Sequence, residues 1–250
     1  MMRFAFIRSG SKGNATLIKS DNALIQIDMG ITLKLLKEGC LLFGKTPHDI
    51  DAVFFTHNHS DHIKNHHMMR KFCPIYASRY TIKDPDHLIE HGVGEEIKDL
   101  VVIPVSTSHD APDPFNFLIV NGEERLAYIT DTGRLFEEDL FFFQNCDYYL
   151  IESNHDVDME IHSRRPIYLK RRILGDYGHL SNIDSAHYMA EMIGGKTKGI
   201  YLGHLSEECN EAELALQTHK DVYDELGIDY SHIDLRCTSQ EEIILGGDKE

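Results

Sequence analysis

Residues 53–65 read VFFTHNHSDHIKN, an apolar run that breaks into His57, His59, Asp61 and His62. Packing gives no reason for such a cluster. Imidazoles and carboxylates fill a core poorly, and crowded protonatable groups cost free energy unless something binds them. A histidine-rich polar loop is the plain alternative in a chain with 16 histidines. The order of the residues favours a metal site. His57 and His59 stand two apart at the end of an extended segment, so both rings can point to one side. Asp61 and His62 follow where the chain turns into a helix, which aims them at a neighbouring point. One loop can therefore feed two adjacent metal positions. Imidazole nitrogen with carboxylate oxygen is the donor set of zinc, with manganese or iron as alternatives.

The rest of the chain has an ordinary globular balance, with 42% hydrophobic and 26% charged residues over 250 positions. No apolar run approaches the roughly 20 residues of a membrane helix, and the start, MMRFAFIRSGSKGN, reads as a first strand rather than a secretory leader. The reading is of a protein without a membrane partner. Five widely spaced cysteines (Cys40, Cys73, Cys146, Cys209, Cys237) form no CxxC pair. They argue against a disulfide framework and for a reducing, cytoplasmic setting. A net charge of −16 speaks against nonspecific coating of nucleic acid. It leaves room for an enzyme that gathers phosphates at one locally positive point, such as a pair of divalent cations.

Around the histidine loop the pattern is regular. RFAFIRS and ATLIKS flank the turn GSKGN, and DNALIQIDMG follows as a third strand before a helical ITLKLLKEGCLLF. Then short apolar strands each end in a polar loop: AVFFT into HNHSDH, VVIPVST into SHDAPDP, LAYIT into DTGR, DYYLI into ESNHD, GIYL into GHLSE. Helices are expected over 134–144, 183–193 and 211–226, with Ser181 and Ser206 as caps and Gly227 as a stop. Strands that deliver polar groups from successive C-terminal ends predict one α/β domain over residues 1–250. Further metal ligands must come from those other strand ends, where His109, Asp131 and His204 stand. Singly, each is an ordinary surface histidine or turn aspartate; together and in this order they complete a ligand set.

THNHSDH with His109, Asp131 and His204 downstream resembles the metallo-β-lactamase superfamily. The resemblance spans most of the chain and implies an αββα sandwich, two mixed β-sheets flanked by helices. It implies two divalent metals, one held by His57, His59 and His109, the other by Asp61, His62 and His204, with Asp131 bridging. Asp28 in IQIDMG matches an early strand-end aspartate expected to orient a ligand from behind. SGSKGNATLI, SHDAPDPFNFLI, ESNHD, GHLSN and LGHLSEECNEAELAL are similar to the YycJ (WalJ) group, which is associated with exonuclease activity on DNA. The plan is also similar to tRNase Z, whose assisting histidine matches His179 in GHLSN. No long tRNA-gripping arm and no large insertion between Asp131 and His204 accompany the likeness.

The implied chemistry is phosphodiester hydrolysis by a metal-bridging hydroxide, with Asp61 beside the nucleophile. His179 would assist the leaving oxygen, with Glu152 orienting it and His155 as a weaker substrate contact. RRPIYLKRR gathers Arg164, Arg165, Lys170, Arg171 and Arg172, and Arg171 and Arg172 are the candidates for steering a phosphate; a solvated helix face is the equal alternative. The expected partner is a nucleic acid, DNA favoured, or a nucleotide phosphodiester, and a homodimer fits the chain. A small cyclic-nucleotide or nucleotide phosphodiesterase is the main rival. A thioester or lactam hydrolase would share the metals without needing both ESNHD and GHLSN. A non-enzymatic binding module would have lost ligands, and none is lost.

Overall fold

The computed structural model describes residues 1–248, and two compact units emerge from it. The first comprises residues up to Ser106, Ala111–Arg125 and the segment from Thr238; the second comprises Thr107–Asp110 and Leu126–Cys237. In the first unit, β1 (Arg3–Arg8), β2 (Ala15–Lys19) and β3 (Leu24–Ile27) form an antiparallel run, while β4 (Ala52–Phe54), β5 (Ile75–Ala77) and β6 (His87–Leu88) continue it in parallel. A late strand, Ile244–Gly247, pairs antiparallel with β1 and closes the other edge of this mixed sheet. The unit also holds an antiparallel run of β7 (Glu95–Ile97), β8 (Leu100–Ser106) and β9 (Phe115–Asn121).

These strands do not simply alternate apolar with polar, because both faces of the sheet are covered. Ala5, Ile7, Leu17, Val53 and Phe55 pack with Leu36 and Cys40 of helix α1 (Leu33–Leu41). On the opposite face, Phe54 stacks on Tyr76 at 4.6 Å and meets Phe117 edge-on at 5.8 Å. Burying each such ring stabilises the fold by roughly 1.5–3 kcal/mol. Thr32 caps α1 through the Leu35 amide. The short helix α2 (Ser60–Ile63) begins inside the histidine loop itself, with His59 as its first flanking residue.

In the second unit β10 (Glu124–Ile129, from Leu126 on), β11 (Tyr148–Glu152), β12 (Gly199–Gly203) and β13 (Asp234–Cys237) run parallel. Parallel neighbours end on the same side, so the residues after β10, β11 and β12 open onto one rim. Helices α3 (Leu140–Phe143), α4 (Val157–His162), α5 (Ile167–Ile173), α6 (Asn182–Met192) and α7 (Ala212–Glu225) complete the unit.

Two local expectations need correction. The helix expected over 134–144 contracts to a 3-10 turn at Glu137–Asp139 and α3, because Arg134 bridges to Ser108 and Phe136 is extended. Ser206 does not cap a helix: its hydroxyl accepts from the Cys209 amide in a turn, and α7 starts later, after Glu211. Ser181 does cap α6, and Gly227 follows α7 with φ +68°. No disulfide joins the five cysteines, and among the described residues no helix is long and apolar enough to cross a membrane.

Candidate metal centre

In the first unit the loop after β4 delivers its histidines as a stack. The rings of His57 and His62 are 4.1 Å apart, and those of His57 and His59 are 4.6 Å apart. Behind them lies Asp28, fully buried at the end of β3. Its Oδ2 is 2.7 Å from His62 Nδ1 and accepts the Thr56 hydroxyl at 2.9 Å, while its Oδ1 accepts the Thr56 amide at 3.0 Å. Burial raises the Asp28 pKa, and the charge and hydrogen bond of His62 work against that rise. Thr56 gives its one hydroxyl proton to Asp28, so its oxygen is left to accept from His57 Nδ1 at 3.0 Å.

The other side of the loop is held by the GSKGN turn. The Asn14 side-chain amide donates toward Asp61 and His62, with Nδ2 3.2 Å from Asp61 Oδ2 and 2.9 Å from His62 Nε2. The Asn14 backbone amide also donates to the Asp61 carbonyl at 2.7 Å. Gly30 makes this possible, since a Cβ there would fall 1.5 Å from that same carbonyl oxygen.

In the second unit Asp131 follows β10, Glu152 ends β11 and His204 follows β12. One donor atom from each of Asp131, Glu152, His179 and His204 lies within 4.8 Å of the others. Glu152 is wholly buried and already saturated. It accepts from His179 Nδ1 and His204 Nδ1, both at 2.8 Å, from the Thr132 amide at 2.9 Å and from the Leu180 amide at 3.3 Å. Burial pushes its pKa up, but the His179 charge and the two imidazole hydrogen bonds win and hold it near 2. Its oxygens are thus taken up in holding His179, His204 and two backbone amides. His109 Nδ1 is 3.0 Å from the Gly178 carbonyl, which can only accept. Its Nε2 and that of His204 then lie 3.9 and 3.5 Å from Asp131 Oδ1.

One feature recurs in His57, His62, His109 and His204. In each, Nδ1 is committed to an acceptor, which puts the lone pair on Nε2. That is how metal-binding histidines are held. The lone pair of His62 faces the Asn14 Nδ2 amide at 2.9 Å. Two imidazole lone pairs aimed at one carboxylate oxygen repel it unless a cation intervenes. The donor set thus fits divalent metals. Backbone strain points the same way: Asp28, Asp131 and His204 have φ of +60°, +48° and +55°. Such conformations cost of order 1–3 kcal/mol and gather at functional sites.

The family profile for the Beta-lactamase superfamily domain matches residues 35–204. The chain belongs to this superfamily. It is 35% identical over 239 residues to exodeoxyribonuclease YycJ of Bacillus anthracis, covering 90% of each chain. Among solved structures, the metallo-β-lactamase fold protein YhfI from Bacillus subtilis matches with a TM-score of 0.73 and 16% identity, over 98% of this chain and 99% of that one. The short form of human tRNase Z matches with a TM-score of 0.65 and 12% identity, over 97% and 98%. The fold is therefore the αββα sandwich of two mixed sheets flanked by helices.

Within this superfamily member the other expected residues take varied places. His179 is partly exposed and lines a cavity of about 960 Å³ together with His155. His155 itself is only 1% exposed, and burial lowers its pKa. Arg172 grips Asp110, the neighbour of His109, through both carboxylate oxygens, while Arg171 is exposed. Asn14, Thr56 and the Gly178 carbonyl escaped the sequence reading. Thr56 and Asn14 had one faint signal, a small polar residue wedged between apolar strand and glycine- or histidine-rich loop. A carbonyl acceptor has none.

Proposed function

We propose that this protein is a metal-dependent phosphodiesterase that removes nucleotides from the ends of DNA. The observation that carries the reading is the Glu152–His179 pair, an imidazole fixed by a buried carboxylate at the mouth of a cavity, in a chain 35% identical to a protein named exodeoxyribonuclease. His57, His59 and His109 would hold one divalent metal, Asp61, His62 and His204 the other, and Asp131 both; residues 1–250 then act as one domain. Zinc suits this set first, and manganese or iron next. When bound, the metals supply a water acidified toward neutrality and offset charge on the transferring phosphoryl group.

The chain's own residues do the rest. Asp61 receives a proton on the attacking side, with Asn14 Nδ2 fixing its carboxylate. His179, its Nδ1 held by Glu152, presents Nε2 to the leaving oxygen and protonates it. The odd number and wide spacing of the cysteines, with no CxxC pair, favour a reducing, cytoplasmic setting.

The test incubates metal-loaded protein with bis-p-nitrophenyl phosphate and with end-labelled single- and double-stranded DNA, RNA and cyclic nucleotides. Stepwise shortening of DNA supports the reading. Turnover confined to cyclic nucleotides would replace it with a small-molecule phosphodiesterase. No turnover of any phosphodiester with zinc, manganese or iron would end it.

A further inference from the structure

The segment from Arg164 to Tyr177 exposes side chains that a folded unit ordinarily covers. Ile167 is 65% exposed, Tyr168 73%, Leu174 41% and Tyr177 62%. Residues three and four apart adjoin on a helix, so in and beside α5 Arg171 stands between Ile167, Tyr168 and Leu174.

The basic side chains of this segment divide into two kinds. Arg165 is tied to Glu160 at 2.7 Å and Glu208 at 3.0 Å. Lys170 Nζ donates to the carbonyls of Ile161 and Ser163 at 2.6 and 2.7 Å, and Arg172 is clamped on Asp110. Those three are structural. Arg164 and Arg171 are exposed, and among the described residues neither has a hydrogen-bond or ion-pair partner.

We infer that this strip is a platform for single-stranded nucleic acid, with Tyr168 and Tyr177 stacking on bases and Arg164 and Arg171 meeting phosphates. Aromatic faces beside arginines are the composition that holds single strands without reading sequence. Charge selects the occupant. On a chain of net charge −16, two arginines without carboxylate partners are a local attraction for a polyanion. The strip leads to the place where a strand is needed, because Leu174, Gly175 and Asp176 line the same cavity as His179. Glu137, Glu138 and Glu191 in that cavity oppose phosphates, so in this unit the backbone of a strand is drawn to the arginines outside it. The direction toward His179 rests on the phosphodiesterase reading; the binding itself does not.

The experiment measures anisotropy of a fluorescent oligodeoxythymidylate with the full chain in EDTA, where no cleavage occurs. Tyr168→Ala/Tyr177→Ala is expected to weaken binding about tenfold or more, from the loss of stacked bases. Arg164→Ala/Arg171→Ala is expected to weaken it and lower the salt slope by about 1 to 2. Tyr168→Phe/Tyr177→Phe should bind as the wild type does, which separates lost stacking from lost fold. Hydrolysis of bis-p-nitrophenyl phosphate, which has no bases to stack, should stay unchanged in metal-loaded Tyr168→Ala/Tyr177→Ala. Wild-type DNA affinity in both alanine pairs overturns the platform. So does unchanged DNA affinity with lost binding to anionic vesicles, or with a lost self-association in sedimentation; these would give the strip to a membrane or to a second copy. If DNA binding falls as expected but no metal-loaded form hydrolyses the ester, the platform stands and the catalytic reading fails.

Discussion

Asp28 Oδ2 lies 2.7 Å from Nδ1 of His62, and neither side chain has any solvent exposure. Asn14 Nδ2, which can only donate, faces Nε2 at 2.9 Å, so the lone pair sits on Nε2 and the imidazole proton on Nδ1, toward Asp28. Asp28 follows β3 and His62 lies on α2, beyond the end of β4, and the two strands are joined by the pairing of Ile27 with Phe54. The sheet thus sets a tautomer.

Asp28→Asn isolates that effect. Asparagine tolerates the left-handed backbone that Asp28 adopts at φ +60° as aspartate does. Its amide, turned to donate to Nδ1, would drive the proton to Nε2. Metal affinity is expected to fall about 10- to 100-fold with little change in the metal-free melting curve. Titration with a chromophoric zinc chelator measures it, and unaltered affinity would show that Asp28 does not govern His62.

Metal stoichiometry is the second expectation. Elemental analysis should find about two divalent ions per chain, and chelation should lower the melting temperature, since binding at a hundred times Kd stabilises by about 2.7 kcal/mol. His57→Ala and Asp131→Ala should each lose metal and turnover together. A chain that binds no zinc, manganese or iron would remove the basis of the centre.

His179→Ala separates catalysis from coordination. His179 hydrogen-bonds Glu152, a carboxylate already saturated by other donors, so the variant should keep its metal and slow roughly 10²–10⁴-fold in kcat. Glu152→Gln should slow turnover and also disturb His204, which shares the same carboxylate oxygen. Metal lost from His179→Ala would move this histidine into the ligand set.

The acid limb of stability gives a fourth. His219 on α7 is fully buried beside Tyr223, and burial lowers its pKa to about 3. The unfolded chain takes up a proton near the ordinary 6.5, whereas the folded one does so only near 3. The unfolded state therefore binds more protons between those values, and stability falls as pH falls from 6.5 toward 3, by an amount on the order of a few kcal/mol. His219→Gln should flatten urea-denaturation midpoints across that window. An equally steep decline in the variant would assign the slope to other groups.

The residues that announce chemistry by type were legible in the chain, and those that act through shape were not. His57, His109, Asp131 and His204 each follow an apolar strand, so their placement on strand ends could be read from periodicity. Thr56 orders three side chains through one hydroxyl, which depends on Asp28 arriving from a neighbouring strand. Composition alone could not sort the basic run at 164–172, because nearby carbonyls hold Lys170 while acids far along the chain, Glu208 and Asp110, take Arg165 and Arg172. Tyr168 and Tyr177 gave no sign of their exposure, since an aromatic in a short amphipathic stretch is ordinarily core.

Asp28, Asp131 and His204 share a backbone conformation that only glycine adopts without cost. Selection for heat tolerance alone would therefore drift toward glycine at these three positions, relaxing the chain while erasing the carboxylate that faces His62 and two of the proposed metal donors. A thermostable variant found that way should be sequenced there first, because its added robustness and its silence would have a common origin.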